Sequence, residues 1–292
     1  MENWIHIIEV GPRDGLQNVS TFIPTEVKAE FIKLIIDGGI KELEVTSFVS
    51  PKAIPQLSDA EKLFSMIEKR EGVVYSGLVP TLKGLERAIN ASVRKVVFFI
   101  SVSDEFNRKN LNASVSDTLK QFEAMKSICD KRGIEIKVSI SNCFYCPFTG
   151  YVEPVRVLKL LKVLMNMGLS EFVLCDTTGT ATPKDVEKLI LMVRNEYDLN
   201  NFSLHMHNTF GFALTCIYKG FEMGIRKFEA SIGGLGGCPN APGATGNIAT
   251  EVLCNFFEKM GVKTGISIEK ILKAYGFIYN YVSKNEKCIT NK

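Results

Sequence analysis

Apolar residues along the chain keep two alternating rhythms. Short runs rich in β-branched and aromatic residues lie at 5–10, 42–46, 73–79, 95–100, 135–140, 171–175, 202–207 and 227–231, with the length and composition of strands. Between them, apolar positions recur every three or four residues over 25–37, 56–69, 116–131, 154–167, 183–196 and 212–223. That spacing predicts helices long enough to cross back over a sheet. Two further helices, 249–259 and 268–281, are expected after the last strand.

Alternating strands and helices require a parallel sheet, because each helix returns the chain to the starting edge for the next strand. Eight such units in roughly 250 residues favour closure over an open doubly wound sheet. The expected fold is therefore α/β, a (β/α)8 TIM barrel with an additional C-terminal helix. No linker or low-complexity stretch interrupts the alternation, so residues 1–292 are read as a single catalytic domain, with 262–292 an added helical extension on the barrel flank.

A barrel of this kind carries its chemistry in the loops after the strands. Unusual polar residues do gather there: Arg13, Asp14 and Gln17 after the first strand, Glu44 in the second, Asp176 at the end of the sixth, His205 and His207 at the end of the seventh. In a strand, residues two apart point to one face, so the two histidines, out of three in the chain, are expected to project together into the barrel mouth. Asp14 offers an anionic oxygen and Asn247 an amide oxygen from the last loop, although each also suits a turn or a helix cap. Two imidazoles with two oxygens suit a divalent ion, Mg²⁺ or Mn²⁺, with Co²⁺ or Zn²⁺ also compatible.

Residues 233–247 hold six glycines and two prolines, the make-up of a loop that must turn tightly or approach a ligand closely. A thiol in such a loop, Cys238, can exchange a proton with a substrate shielded from water. Cys143 and Cys146 have the spacing of a zinc knuckle but lack a second pair, and Arg108 and Lys109 read as solvated surface charges.

Composition narrows the partners. With 35 basic and 32 acidic residues the formal charge is only +3, unconcentrated in any tail, which argues against nucleic acid. No secretory leader and no run near the ~20 apolar residues of a membrane span are visible, so a cytoplasmic protein with no membrane partner is expected. Eight dispersed cysteines fit reduced thiols rather than a disulfide framework.

Five segments taken together are specific: VGPRDGLQN at 10–18, EVTSFVSPK at 44–52, CDTTGTATP at 175–183, HMHNTFGFAL at 205–214 and GGLGGCPNAPGATGNIATE at 233–251. In that order they closely resemble the 3-hydroxy-3-methylglutaryl-CoA lyase family, over almost the whole chain. The resemblance implies metal ligands Asp14, His205, His207 and Asn247. It also implies catalytic-site residues Arg13, Cys238, His205, Asp176 and Glu44, with substrate contacts from Arg13, Gln17 and Asn110. It further implies an acyl-CoA substrate, acetyl-CoA and acetoacetate as products, and a homodimer. Asn240, Thr245, Val252 and Phe210 depart from the family pattern, which leaves room for a lyase acting on a related 3-hydroxy-3-alkylglutaryl-CoA. An acetyl-CoA-dependent Claisen-condensing synthase of the same barrel group is the other alternative. Cys288 resembles a regulatory thiol of some members, with an inert surface cysteine as the simpler expectation.

Overall fold

The computed structural model describes residues 3–237 and 246–287, with side chains of the last helix described as far as residue 283. Eight parallel strands pair in chain order: β1 (His6–Glu9), β2 (Glu42–Ser47), β3 (Val74–Leu78), β4 (Lys95–Ser101), β5 (Glu135–Ser141), β6 (Phe172–Asp176), β7 (Phe202–Met206) and β8 (Lys227–Ala230). Pairing of β8 with β1, from His6 opposite Lys227 to Glu9 opposite Ala230, closes the barrel. All eight predicted strands are present.

The helices around it are α1 (Thr25–Asp37), α2 (Ala60–Met66), α3 (Leu82–Asn90), α4 (Asp104–Leu111), α5 (Val115–Arg132), α6 (Pro154–Asn166), α7 (Pro183–Glu196), α8 (Ala213–Glu222), α9 (Thr250–Lys259) and α10 (Ile268–Lys287). The bounds of α1 and α7 are those predicted. Helix α2 is shorter than its pattern, because Pro55 opens a separate 3₁₀ turn over Pro55–Leu57 and Ile67 is already extended. Helices α3 and α4 were not singled out by periodicity. They span only nine and eight residues, short of the roughly 11-residue window over which a helical repeat is read.

Helix α10 lies on the barrel flank against α1 and α9, burying Ile271, Ala274 and Ile278. Gly38 makes this approach possible: a Cβ there would stand 2.6 Å from Ile271 Cδ1. At the base, the Ile5 amide donates to the Lys263 carbonyl at 3.0 Å and the Lys263 amide to the Asn3 carbonyl at 2.9 Å, tying the first strand to the chain beyond α9. No described helix is long and apolar enough to cross a membrane.

Strand alternation divides the barrel into two environments. Phe98, Val138, Phe172, Leu204 and Phe228 face outward and form the apolar layer under the helices. The opposite parity is charged. Lys137 Nζ on β5 lies 2.8 Å from Glu229 Oε1 on β8 and 3.7 Å from Glu42 Oε1 on β2, contacts between non-neighbouring strands that only the interior permits. Lys95 Nζ continues the series, 2.9 Å from Glu42 and 2.8 Å from Glu171. His6 Nε2 closes on Glu42 Oε2 at 3.1 Å. A ladder of ion pairs, buried apart from His6 and Glu171 at its end, thus runs along the barrel axis.

Candidate metal and active site at the barrel mouth

Beyond β1 the chain winds through a π-type turn, Gly11–Gly15, in which the amides of Arg13, Asp14 and Gly15 all reach the Val10 carbonyl. This packs Arg13 and Asp14, both buried, beside the end of β7. There the two-residue alternation sets the His205 and His207 rings on one face, 5.2 Å apart by centroid. The chain returning from the last loop pairs with the same strand end. Ile248 donates its amide to the Met206 carbonyl at 3.2 Å, Asn208 donates to Gly246 at 3.0 Å, and His207 and Asn247 form a bridge.

Residues far apart in sequence therefore meet. Asp14, His205 and His207 each offer a ligand atom within 4.8 Å of the others. Asn247 donates Nδ2 to Asp14 Oδ2 at 2.7 Å, and its Oδ1 is buried with no hydrogen-bond partner among the described residues. A buried acceptor without a donor costs roughly 1–3 kcal/mol, and a cation would relieve it. One carboxylate, two imidazoles and one amide oxygen are donors that a divalent ion of the Mg²⁺ to Zn²⁺ range accepts, so the residues fit the group.

The electrostatics agree. Burial works to raise Asp14, but Arg13, His205 and His207 outweigh it and hold the carboxyl below its usual range, as an anion. Arg13 Nη1 donates to Asp14 Oδ1 at 2.6 Å and its Nε donates to Glu44, while Gln17 Nε2 donates to Asp14 Oδ1 at 2.8 Å. Burial opposes the Arg13 charge too, yet Glu44 and Asp14 together raise its pKa. Burial pushes Glu44 upward against the pull of Arg13, and the nearby Glu229 charge adds to the rise.

A cavity of about 420 Å³ opens here. Arg13, Asp14, Gln17, His205 and His207 form one wall; Val49, Ile54, Leu78, Phe99, Phe106 and Leu111 form an apolar one. Asn110, on α4, joins the lining. A few convergent polar groups facing a greasy wall is the make-up of a small-molecule site.

The sequence pattern of the HMGL-like family matches residues 4–278. The human mitochondrial hydroxymethylglutaryl-CoA lyase is 38% identical over 274 residues, covering 94% of this chain and 84% of its own length. The hydroxymethylglutaryl-CoA lyase YngG of Bacillus subtilis is 39% identical over 280 residues, 96% of this chain and 94% of its own. Among solved structures, the HMG-CoA lyase of Bacillus subtilis superposes with a TM-score of 0.93 at 38% identity, over 97% of this chain and 96% of that one. An HMG-CoA lyase of Acinetobacter baumannii, solved with coenzyme A and 3-methylmalate, has a TM-score of 0.93 at 34% identity, over 96% of this chain and 92% of that one. The chain belongs to the HMGL-like family.

Most of the HMGL-like residues named from sequence converge on this cavity, but Asp176 does not line it. Its neighbours Cys175 and Thr177 do, whereas Asp176 accepts from the Gly179 and Ala181 amides at 3.1 and 3.0 Å and from Thr178 Oγ1. Burial raises it to about 6 against those hydrogen bonds. These contacts hold the loop after β6. Cys238 lies outside the described residues, as do Asn240, Thr245 and Cys288. Arg108 and Lys109 are exposed, Arg108 pairing with Asp104. Cys143 and Cys146 are buried free thiols bonded to the Ile140 carbonyl and Ser103, not a zinc knuckle; all six described cysteines are free.

Three contributors to this HMGL-like site escaped the sequence: Glu9, Lys137 and Glu229. Glu229 Oε2 lies 3.0 Å from His205 Nδ1. Burial alone would raise Glu229, yet Lys137 and His205 hold it down to about 2. Glu9 accepts the Gly11 and Ile232 amides at 2.8 and 3.0 Å and the Thr250 hydroxyl at 2.6 Å, tying the turn after β1 to the loop after β8.

Burial raises Glu9 from 4.5 to about 7 despite those donors. Folded protein thus holds this proton more tightly than unfolded chain, and the associated stability is complete below about 4.5 and lost as pH rises through about 7. In Glu9→Gln the side-chain carbonyl can accept both amides without a charge. The variant is expected to gain over wild type between pH 5 and pH 8, by up to roughly 2–3 kcal/mol. Thermal unfolding at the two pH values checks this; a difference that does not grow with pH overturns it.

Gly236, at φ +122°, lies against the ligands: a Cβ there would stand 2.5 Å from Asn247 Nδ2 and 3.1 Å from Asp14 Oδ2. Gly236→Ala is expected to displace Asn247 and weaken divalent-ion binding by roughly 10- to 100-fold, the scale of losses around metal ligands. Mn²⁺ titration followed by electron paramagnetic resonance measures it. Wild-type affinity in the variant would refute the crowding argument.

Proposed function

We propose that this protein is a divalent-metal-dependent lyase that cleaves 3-hydroxy-3-methylglutaryl-CoA to acetyl-CoA and acetoacetate. The observation carrying this reading is the meeting of Asp14, His205 and His207 within 4.8 Å, beside Arg13, at one end of a cavity with an apolar wall. The names of its relatives support it. The proposed ligands are Asp14, His205, His207 and Asn247, and the proposed ion is Mg²⁺ or Mn²⁺, with Co²⁺ or Zn²⁺ compatible. When bound, it supplies Lewis-acid polarisation of the substrate's tertiary alcohol and carboxylate.

The chain's own residues do the rest. Cleavage takes the C3 hydroxyl proton to a base, breaks the C2–C3 bond and leaves its electron pair on an acetyl-CoA enolate, which then gains a proton at carbon. C3 becomes the ketone of acetoacetate. Cys238 is the group assigned to one of the two proton transfers, and His205, held by Glu229 at Nδ1, organises the other from the ligand set. Arg13 faces the charge that grows on the thioester oxygen and, already fixed by Glu44 and Asp14, stabilises it without reorganising. Gln17 holds Asp14 in place, and Asn110 meets the acyl-CoA from α4. A coenzyme A complex exists for the Acinetobacter relative. A cytoplasmic homodimer built from residues 1–292 as one domain completes the proposal.

Supplying the protein and Mg²⁺ with three alternative inputs tests the reaction class. Acetyl-CoA is expected from 3-hydroxy-3-methylglutaryl-CoA together with acetoacetate, and more slowly from a longer 3-alkyl homologue together with the correspondingly longer 3-oxo acid. Condensation of acetyl-CoA with a 2-oxo acid, with no thioester cleavage, would overturn the lyase assignment.

A further inference from the structure

We propose that Glu229, steadied by Lys137, is a positioning residue that turns the His205 ring so that Nε2, rather than Nδ1, faces Asp14 and His207. The inference rests on the metal reading above and concerns how the site is built. Glu229 stands directly opposite His205 across the β7–β8 pairing, so the strand register itself brings carboxylate and ring together. Its two oxygens have different partners: Oε2 is 3.0 Å from His205 Nδ1 and Oε1 is 2.8 Å from Lys137 Nζ. Rotating the carboxylate to release the ring would break the ion pair as well.

Lys137 cannot follow such a rotation. Its side chain is fully buried, and its ammonium is shared with Glu42 across the barrel, which is in turn held by Lys95 and His6. The histidine is thereby anchored, through one carboxylate and one lysine, to strands β2, β4, β5 and β8. A carboxylate on the far nitrogen fixes the tautomer, leaves the near nitrogen's lone pair for a cation and increases its basicity. A ladder that merely filled the barrel would need only the Lys137 contact. The oxygen on the imidazole is the part that filling does not explain.

The test removes the pair together, because a lone buried Lys137 or Glu229 is itself destabilising whereas an apolar replacement of both is commonly tolerated. Lys137→Met/Glu229→Leu is expected to fold, by circular dichroism, and to bind Mn²⁺ roughly 10- to 100-fold more weakly than wild type. Glu229→Asp, which keeps the charge, is expected to recover part of that loss. In Mg²⁺-loaded wild type, ¹⁵N NMR is expected to show the proton of His205 on Nδ1, a readout that does not depend on any variant folding. Unchanged Mn²⁺ affinity in the folded double variant, or an unprotonated Nδ1 in the loaded wild type, overturns the proposal. A wild type that binds no divalent ion would instead sink the metal reading beneath it.

Discussion

Stripping the divalent ion is expected to abolish acetoacetate release, and adding Mg²⁺ or Mn²⁺ back to restore it. Asp14, His205, His207 and Asn247 Oδ1, which has no hydrogen-bond partner among the described residues, surround a point where a carboxylate, two imidazoles and an amide oxygen converge. Without an ion, the alcohol proton must be removed at nearly the ordinary acidity of an alcohol and the substrate carboxylate lacks that counter-charge. A loss of several kcal/mol in transition-state stabilisation, about 1.4 kcal/mol per decade of rate, corresponds to a fall of roughly 10³-fold or more. Steady-state assay after EDTA and gel filtration, with residual metal measured by mass spectrometry, checks it. Turnover that survives complete metal removal would rule the mechanism out.

Arg13→Met is expected to lower kcat by roughly 10²- to 10³-fold, the cost of removing one fixed donor from a developing oxyanion. The smaller change is expected in KM, because the guanidinium acts on charge that exists only near the transition state. Metal should remain bound: Asp14 keeps its contacts with Gln17 and Asn247 when Arg13 is gone. Glu44 is then left buried without its cation, and since burial already pushes it upward, it should take up a proton rather than remain charged. Measuring kcat, KM and Mn²⁺ affinity on the same preparation separates these effects. A near-normal kcat takes Arg13 off the list of catalytic groups.

The strands were legible because their outward-facing residues are apolar whatever the interior contains, and the two histidines because alternation within a strand is rigid geometry. Asp14 and Asn247 could be joined only through the expected closure of the first strand onto the last, which β1 and β8 supply. The charged interior was not legible. Lys137, Glu229 and Glu42 alternate with apolar neighbours as they would in a sheet with one wet face, and a period of two does not say whether the polar side meets water or a barrel axis. Glu9 gave no signal, since a lone acid in an apolar run has no pattern from which its partners can be inferred.

The axial ladder also constrains how this lineage can vary. Replacing Lys137 or Glu229 alone strands a charge that solvent cannot reach, a penalty of about 3–5 kcal/mol against a total stability of about 5–15 kcal/mol. Drift at Lys137 or Glu229 is therefore blocked as single steps and opens only through concerted exchanges. Across diverged descendants these positions should change in complementary sets, while the outward-facing aliphatics beside them interchange freely.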